Sequence, residues 1–261
     1  MSGSFVASAA RVFDRADARP SGAERQPPLG LHRLPLLTFG VLALTAATGL
    51  AQAADRGLLT RLERTPAELH GDWWRLRGAL LVQDGGVVGA ASNLAFLGLI
   101  GIAAEQVLPR PRWLVHYLGV GLATEVLAYS WQPVGGGNSI AVCGLAGGVA
   151  VACRRGDSRL PGYSVPALLI WCGALLGTLS DDLVVPAVVL AAAAAALARR
   201  HHEREQLLQR LVPLAVGATG IVLAAASNIH GAALLAGIAL ALMLPAPGPG
   251  LQLRCPGRES R

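Results

Sequence analysis

Two short polar contexts interrupt an otherwise apolar chain, and their residue types could form a nucleophile and its base. The first is Gly135-Gly136-Gly137-Asn138-Ser139-Ile140. The second, about ninety residues further on, is Ser227-Asn228-Ile229-His230-Gly231. A serine hydroxyl is a weak nucleophile at neutral pH and needs an adjacent base, most often histidine. Acyl transfer also needs donors aimed at the oxygen where negative charge develops. Backbone N–H groups at a helix N-terminus and amide side chains can supply them. Ser139 opens an apolar run, and the three preceding glycines let the backbone turn closely. Asn93, in Ala90-Ala91-Ser92-Asn93-Leu94-Ala95-Phe96, places an amide in a second apolar run. Such a group is expensive in hydrocarbon unless it has partners or a task. Ser139 and His230 are therefore the candidate catalytic residues, and Asn93 with the Ser139 N–H the candidate oxyanion donors. Read singly, each has a plainer role: a helical serine bonds back to its own backbone, and a histidine can cap or satisfy a buried polar group.

The elements that carry these residues are bilayer-scale. The chain is 53% hydrophobic and 15% charged, with a mean hydropathy of +0.49. A soluble domain carries about a quarter charged residues. Apolar runs cover about 35–53, 86–107, 113–131, 138–153, 163–180, 182–198, 211–226 and 229–245, lengths that suit membrane spans more than core segments. The first thirty-odd residues lack the early apolar region of a cleavable signal peptide. The net charge of +6 comes from arginine alone, since the chain has no lysine. The arginines sit beside apolar blocks, so the charge reports topology and not nucleic-acid binding. Four cysteines (Cys143, Cys153, Cys172, Cys255) have no metal-ligand spacing, and His201-His202 lies in a charged loop. No metal and no cofactor is expected.

The separators orient the spans. Pro109-Arg110-Pro111-Arg112, Arg154-Arg155 and Arg199-Arg200 are basic, whereas Gln132-Pro133, Ser180-Asp181-Asp182 and Ser227-Asn228 are not. The positive-inside rule puts the basic separators in the cytoplasm, together with the tails at 1–34 and 246–261. Eight alternating spans within a membrane domain at 35–245 satisfy every assignment. Ser139 and His230 then both open spans that start on the outer face, so they share a depth. An odd number of spans between them would have kept them apart. The long connection at 54–85 falls outside, and Trp73-Trp74-Arg75-Leu76-Arg77 suits the headgroup layer.

These residues resemble, in order and spacing, the rhomboid intramembrane serine proteases. The resemblance runs through Gly71-Asp72-Trp73-Trp74-Arg75, Asn93 to Leu97, Glu105, Tyr117-Leu118, Gly137-Asn138-Ser139, and His230 with Ala236-Gly237. It covers about 35–155 and 211–245. It implies an all-α polytopic bundle of six core helices, here with an extra hairpin at 163–198, and a Ser139–His230 dyad that opens outward. It also implies Asn93 as an oxyanion donor, Trp74 and Arg75 in an interfacial loop, Gly137 as the glycine of the serine motif, and Gly144 and Gly147 as close-packing positions of the serine helix. Its implied partners are the lipid bilayer and membrane proteins with a transmembrane segment. The sequence departs from the family at three places. Ile140 follows the serine where glycine is usual, Gly89 replaces a histidine four residues before Asn93, and Gln83 lies where the first loop commonly ends in histidine. The expected function is intramembrane cleavage near the outer interface. The rival readings are an inactive rhomboid-like protein that binds helices, and a small transporter built on Glu125, the lone carboxylate of the third span.

Overall fold

The computed structural model describes residues 31–66, 71–200 and 205–244. Most of the N-terminal tail, the C-terminal tail, Cys255 and His201-His202 lie outside them. Among the described residues the chain is helical, with one isolated β-bridge between Arg64 and Gly135. The helices are α1 (Leu36–Ala54), α2 (Gly57–Leu62), α3 (Arg75–Ala79), α4 (Gly86–Val107), α5 (Arg110–Leu114), α6 (Val120–Trp131), α7 (Ser139–Arg154), α8 (Ser164–Gly177), α9 (Val184–Arg200), α10 (Glu205–Ala225) and α11 (Ile229–Met243). A π-helical turn, Val115–Gly119, joins α5 to α6. Helices α1 and α4 are long and apolar enough to cross a bilayer, and shorter apolar helices follow. The whole is a polytopic helical membrane protein. Large apolar side chains such as Leu44, Val126, Ile221 and Met243 point outward, as suits helices whose backbone is satisfied internally and whose surface meets lipid.

Helix α7 is the centre. Every residue from Ile140 to Cys153 is buried, and α4, α6, α10 and α11 all pack on it. Small residues permit this. A Cβ on Gly144 would lie 2.3 Å from the His116 carbonyl oxygen, one on Gly147 2.5 Å from the Ile238 nitrogen, and one on Gly237 2.4 Å from the Gly144 oxygen. Real side chains cannot stand that close, so Gly144 lets α7 press on the π-helical turn, while Gly147 and Gly237 let α7 and α11 touch backbone to backbone, the usual role of small residues in membrane packing. The hairpin expected beyond the core divides. Helix α8 contributes Leu168, Trp171, Cys172 and Leu175 to the core, with Trp171 against Phe96 of α4 (ring centroids 4.6 Å apart). Helix α9 packs against α8, where Gly173 admits Ala187 and Ala191.

The end away from Ser139 is closed by side chains that bond to backbone. A helix leaves its first N–H and last C=O groups without intrahelical partners. The Glu105 carboxylate accepts from Leu37 N (3.1 Å), Thr38 N (2.9 Å) and Thr38 Oγ1 (2.9 Å), capping α1 from another helix. Gln106 accepts from the backbone of His32 and Arg33. Arg33 donates to the Leu108 carbonyl and Arg159 to that of Val107, both at the C-terminus of α4. Arg155 does the same for Ala241 of α11. Arginine suits these helix ends through both its N–H fork and its charge.

Candidate active site

The connection between α1 and α4 lies across the end that carries Ser139. Arg75 ties it together, donating to the carbonyls of Thr60 (2.9 Å) and Glu63 (3.3 Å) while its guanidinium lies 5.2 Å from the Trp74 ring. Trp73 and Trp74 are exposed, an arrangement suited to an interface where aromatic rings meet headgroups. From this connection a set of backbone bonds fastens the glycine loop. Arg64 and Gly135 exchange N–H···O bonds (2.8 and 3.2 Å), Asp84 N donates to Gly136 O (3.2 Å), and Gly137 N donates to Ala79 O (2.7 Å). The Asp84 carboxylate accepts from Gly136 N (2.9 Å). A Cβ on Gly136 would lie 2.8 Å from Val82 Cγ2, so only glycine lets the loop lie this close. Ser139 is thereby held as the first residue of α7, where backbone N–H groups have no intrahelical acceptor.

His230 is delivered by a tight turn. Ser227 N donates to Ala224 O, and Asn228 N to Leu223 O, with Ser227 in the left-handed region at φ 55°. This is a Schellman closure of α10. Asn228 then caps α11, its Oδ1 accepting from His230 N at 3.0 Å. The result is Ser139 Oγ 2.8 Å from His230 Nε2. The pair lies on the wall of a cavity of about 420 Å³ bounded by the glycine loop, Gln132, Ile229 and Arg64.

Asn93 joins this group from α4. Its Nδ2 donates to Gln83 Oε1 (2.5 Å), and Gln83 Nε2 donates to Asn138 Oδ1 (3.2 Å). The backbone of Gln83 is in turn held by the Gln52 amide of α1 (2.7 and 3.0 Å). A Cβ built on Gly137 would stand 3.6 Å from Ser139 Oγ and 3.7 Å from both Asn93 Nδ2 and Gln83 Oε1. The three groups thus converge on a spot that glycine leaves open. Each Asn93 Nδ2 carries two N–H donors, so one remains after the bond to Gln83.

Of the residues singled out in the sequence, Ser139, His230 and Asn93 meet here. Gly137 borders the site, Gly144 seats α7 on the π-helical turn, Gly147 sets the α7–α11 approach, and Trp74 and Arg75 shape the loop. Gly89 has open space where a Cβ would stand, and Ile140 is buried beside the serine, lining the cavity. Glu125 is not alone in its span. It forms a buried ion pair with Arg64, which also donates to Gln132 O at 2.7 Å. A charge buried with its counter-ion is a fixed structural pair, which removes the observation behind a transport reading. The partner comes from the connection between α1 and α4. His116 is wholly buried and bonds Arg112 O through Nδ1 (2.8 Å). Cys143, Cys153 and Cys172 are free and buried, and no metal-ligating cluster occurs among the described residues. Gln83 and Arg64 were not singled out for a site. Gln83 was marked only as standing near a position where histidine is common, and Arg64 only as one of several arginines in the connection.

Comparison with known proteins adds one finding. Residues 70–184 match the family model of the Rhomboid domain. The matched stretch includes Asn93, Ser139 and helix α8, and ends before His230. No curated protein matches the chain.

Proposed function

The chain belongs to the rhomboid family, and on that premise we propose that it is an intramembrane serine endopeptidase cutting transmembrane segments near the outer interface. The observation that carries this reading is the 2.8 Å contact between Ser139 Oγ and His230 Nε2 on the wall of an open cavity. His230 Nε2 takes the hydroxyl proton as Ser139 Oγ attacks the carbonyl carbon of a substrate peptide. The carbonyl oxygen becomes an oxyanion, held by the Ser139 N–H and the free N–H of Asn93 Nδ2. Its collapse breaks the C–N bond, and His230 returns the proton to the leaving amine. A water molecule, deprotonated by the same imidazole, then hydrolyses the acyl-serine. The substrates are membrane proteins with a transmembrane segment, and the setting is a plasma membrane, bacterial by composition, with both tails cytoplasmic.

The open position at Gly89 supports a slow enzyme, because one expected donor is missing and a lost oxyanion donor costs about 10²–10³ in rate in a known hydrolase. The same observation supports the alternative, a family member that binds transmembrane helices without cutting them. Labelling of the purified full chain with a serine-reactive fluorophosphonate separates the two. Wild type is expected to label, and Ser139→Ala and His230→Ala to lose labelling entirely. A wild type that never labels, or label that persists in both variants, sinks the protease reading.

A further inference from the structure

The His230 ring has a second polar contact that the dyad does not use. Its Nδ1 lies 2.7 Å from Asn228 Oδ1, the same oxygen that caps α11. Asn228 Nδ2 donates to Thr178 Oγ1 (3.1 Å), and the Thr178 hydroxyl donates to the Leu175 carbonyl (2.7 Å). Thr178 closes helix α8, so the chain of bonds runs from the C-terminus of α8 through Asn228 and His230 to Ser139.

We propose that Asn228 is a positioning residue for His230, and that Thr178 fixes which way the Asn228 amide faces. The inference rests on the hydrolase reading above. A carboxamide can present either an oxygen or an NH₂ group, and the choice decides the histidine tautomer. Facing the ring with oxygen, Asn228 accepts a proton held on Nδ1 and leaves the Nε2 lone pair toward Ser139, as a general base requires. Facing it with NH₂, the amide would force the proton onto Nε2 and silence the base, an effect of about 10⁴ in a serine protease triad. Two contacts forbid the second orientation. The flipped NH₂ would meet the His230 backbone N–H, donor against donor. The flipped oxygen would meet Thr178 Oγ1, whose only proton is committed to Leu175 O. The amide also stabilises the imidazolium that forms as Ser139 attacks, without adding a charge. Arg64 and Glu125, which line the same cavity, are already paired with each other and do not supply this acceptor.

The test uses the full chain in detergent, labelled with ¹⁵N-histidine and assigned by the signal lost in His230→Gln. The expected wild-type spectrum shows His230 protonated on Nδ1. In Asn228→Ala and Thr178→Val it shows a mixture of tautomers. The rate of fluorophosphonate labelling is expected to fall on the order of 10²-fold in Asn228→Ala, short of the triad value because the partner is neutral. Thr178→Val should lose about tenfold, the worth of one hydrogen bond, and Thr178→Ser should regain most of it. Asn228→Ser retains a capping oxygen but cannot reach Nδ1. It should fold like wild type and label as slowly as Asn228→Ala, which separates orientation from capping. Wild-type His230 protonated on Nε2, or Asn228→Ser labelling at the wild-type rate, overturns the inference and leaves the protease reading standing. A wild type that holds the Nδ1 tautomer yet never labels overturns the protease reading, and the catalytic meaning of Asn228 falls with it.

Discussion

At the end of the bundle away from Ser139, Glu105 and Gln106 spend their oxygens on backbone N–H groups of His32, Arg33, Leu37 and Thr38. At the serine end, Gln83, Asn93 and Asn138 bond to one another's side chains beside an open cavity. Both clusters bury polar groups in an apolar bundle, where an unmade bond is costly. The difference lies in where the bonds stop. A side chain that ends on backbone closes a helix terminus and has nothing left to offer. One that ends on another side chain keeps donors uncommitted to backbone, as the second N–H of Asn93 Nδ2 is after its bond to Gln83.

That contrast can be broken most sharply at Asn93. Asn93→Ala should slow fluorophosphonate labelling by about 10²-fold, roughly 2.7 kcal/mol of transition-state stabilisation, while leaving the denaturation midpoint nearly unchanged. Unaltered labelling would remove Asn93 from the oxyanion site. The converse belongs to Glu105→Ala. It strands three buried donors and should lower unfolding free energy by about 2 kcal/mol in detergent titrations, with the labelling rate per folded molecule preserved. A drop in that rate would mean the two ends are coupled. A smaller change is expected from Gly89→His, because a Cβ there meets nothing. If the site lacks only this donor, the variant should label up to about tenfold faster. The smallest effect lies in the loop at the closed end. Burial pushes the Asp157 carboxyl up, but hydrogen bonds and charge from Arg159 outweigh it and hold the pKa below the usual 3.8. Its contribution is therefore present above the unfolded-state value and fades as pH falls through the lower folded-state value. Asp157→Asn should cost about 0.5 kcal/mol near neutrality, discounted for exposure, and the gap to wild type should close in acid.

The serine, the histidine and Asn93 were readable because each is a polar type placed at a telling point of an apolar run. Trp74-Arg75 was readable as part of the connection between the first two long apolar runs. Gln83, Asn228 and Thr178 were not. Asn228 stood in the sequence only as part of a separator without basic residues, and Thr178 as the polar end of a span. Their meaning depends on where a loop and two helix ends meet, which periodicity cannot report. Glu125 was readable as a buried carboxyl with a partner, but which residue pairs with it was not. Its partner Arg64 is 61 residues away, in a connection whose burial the sequence does not reveal.

By itself the sequence determined the helical membrane class and where the apolar runs lie, because hydrocarbon admits only helices of a certain length and charge pattern. Counting crossings also led to the expectation that Ser139 and His230 open toward the same side of a bilayer. Only the tertiary structure decided that they touch. The contact needs Gly147 and Gly237 to bring two backbones together, and a left-handed turn at Ser227 to aim the ring. Likewise the fold alone decided that Asn228 turns its oxygen to that ring, since an amide's orientation is set by neighbours that no span of sequence brings together.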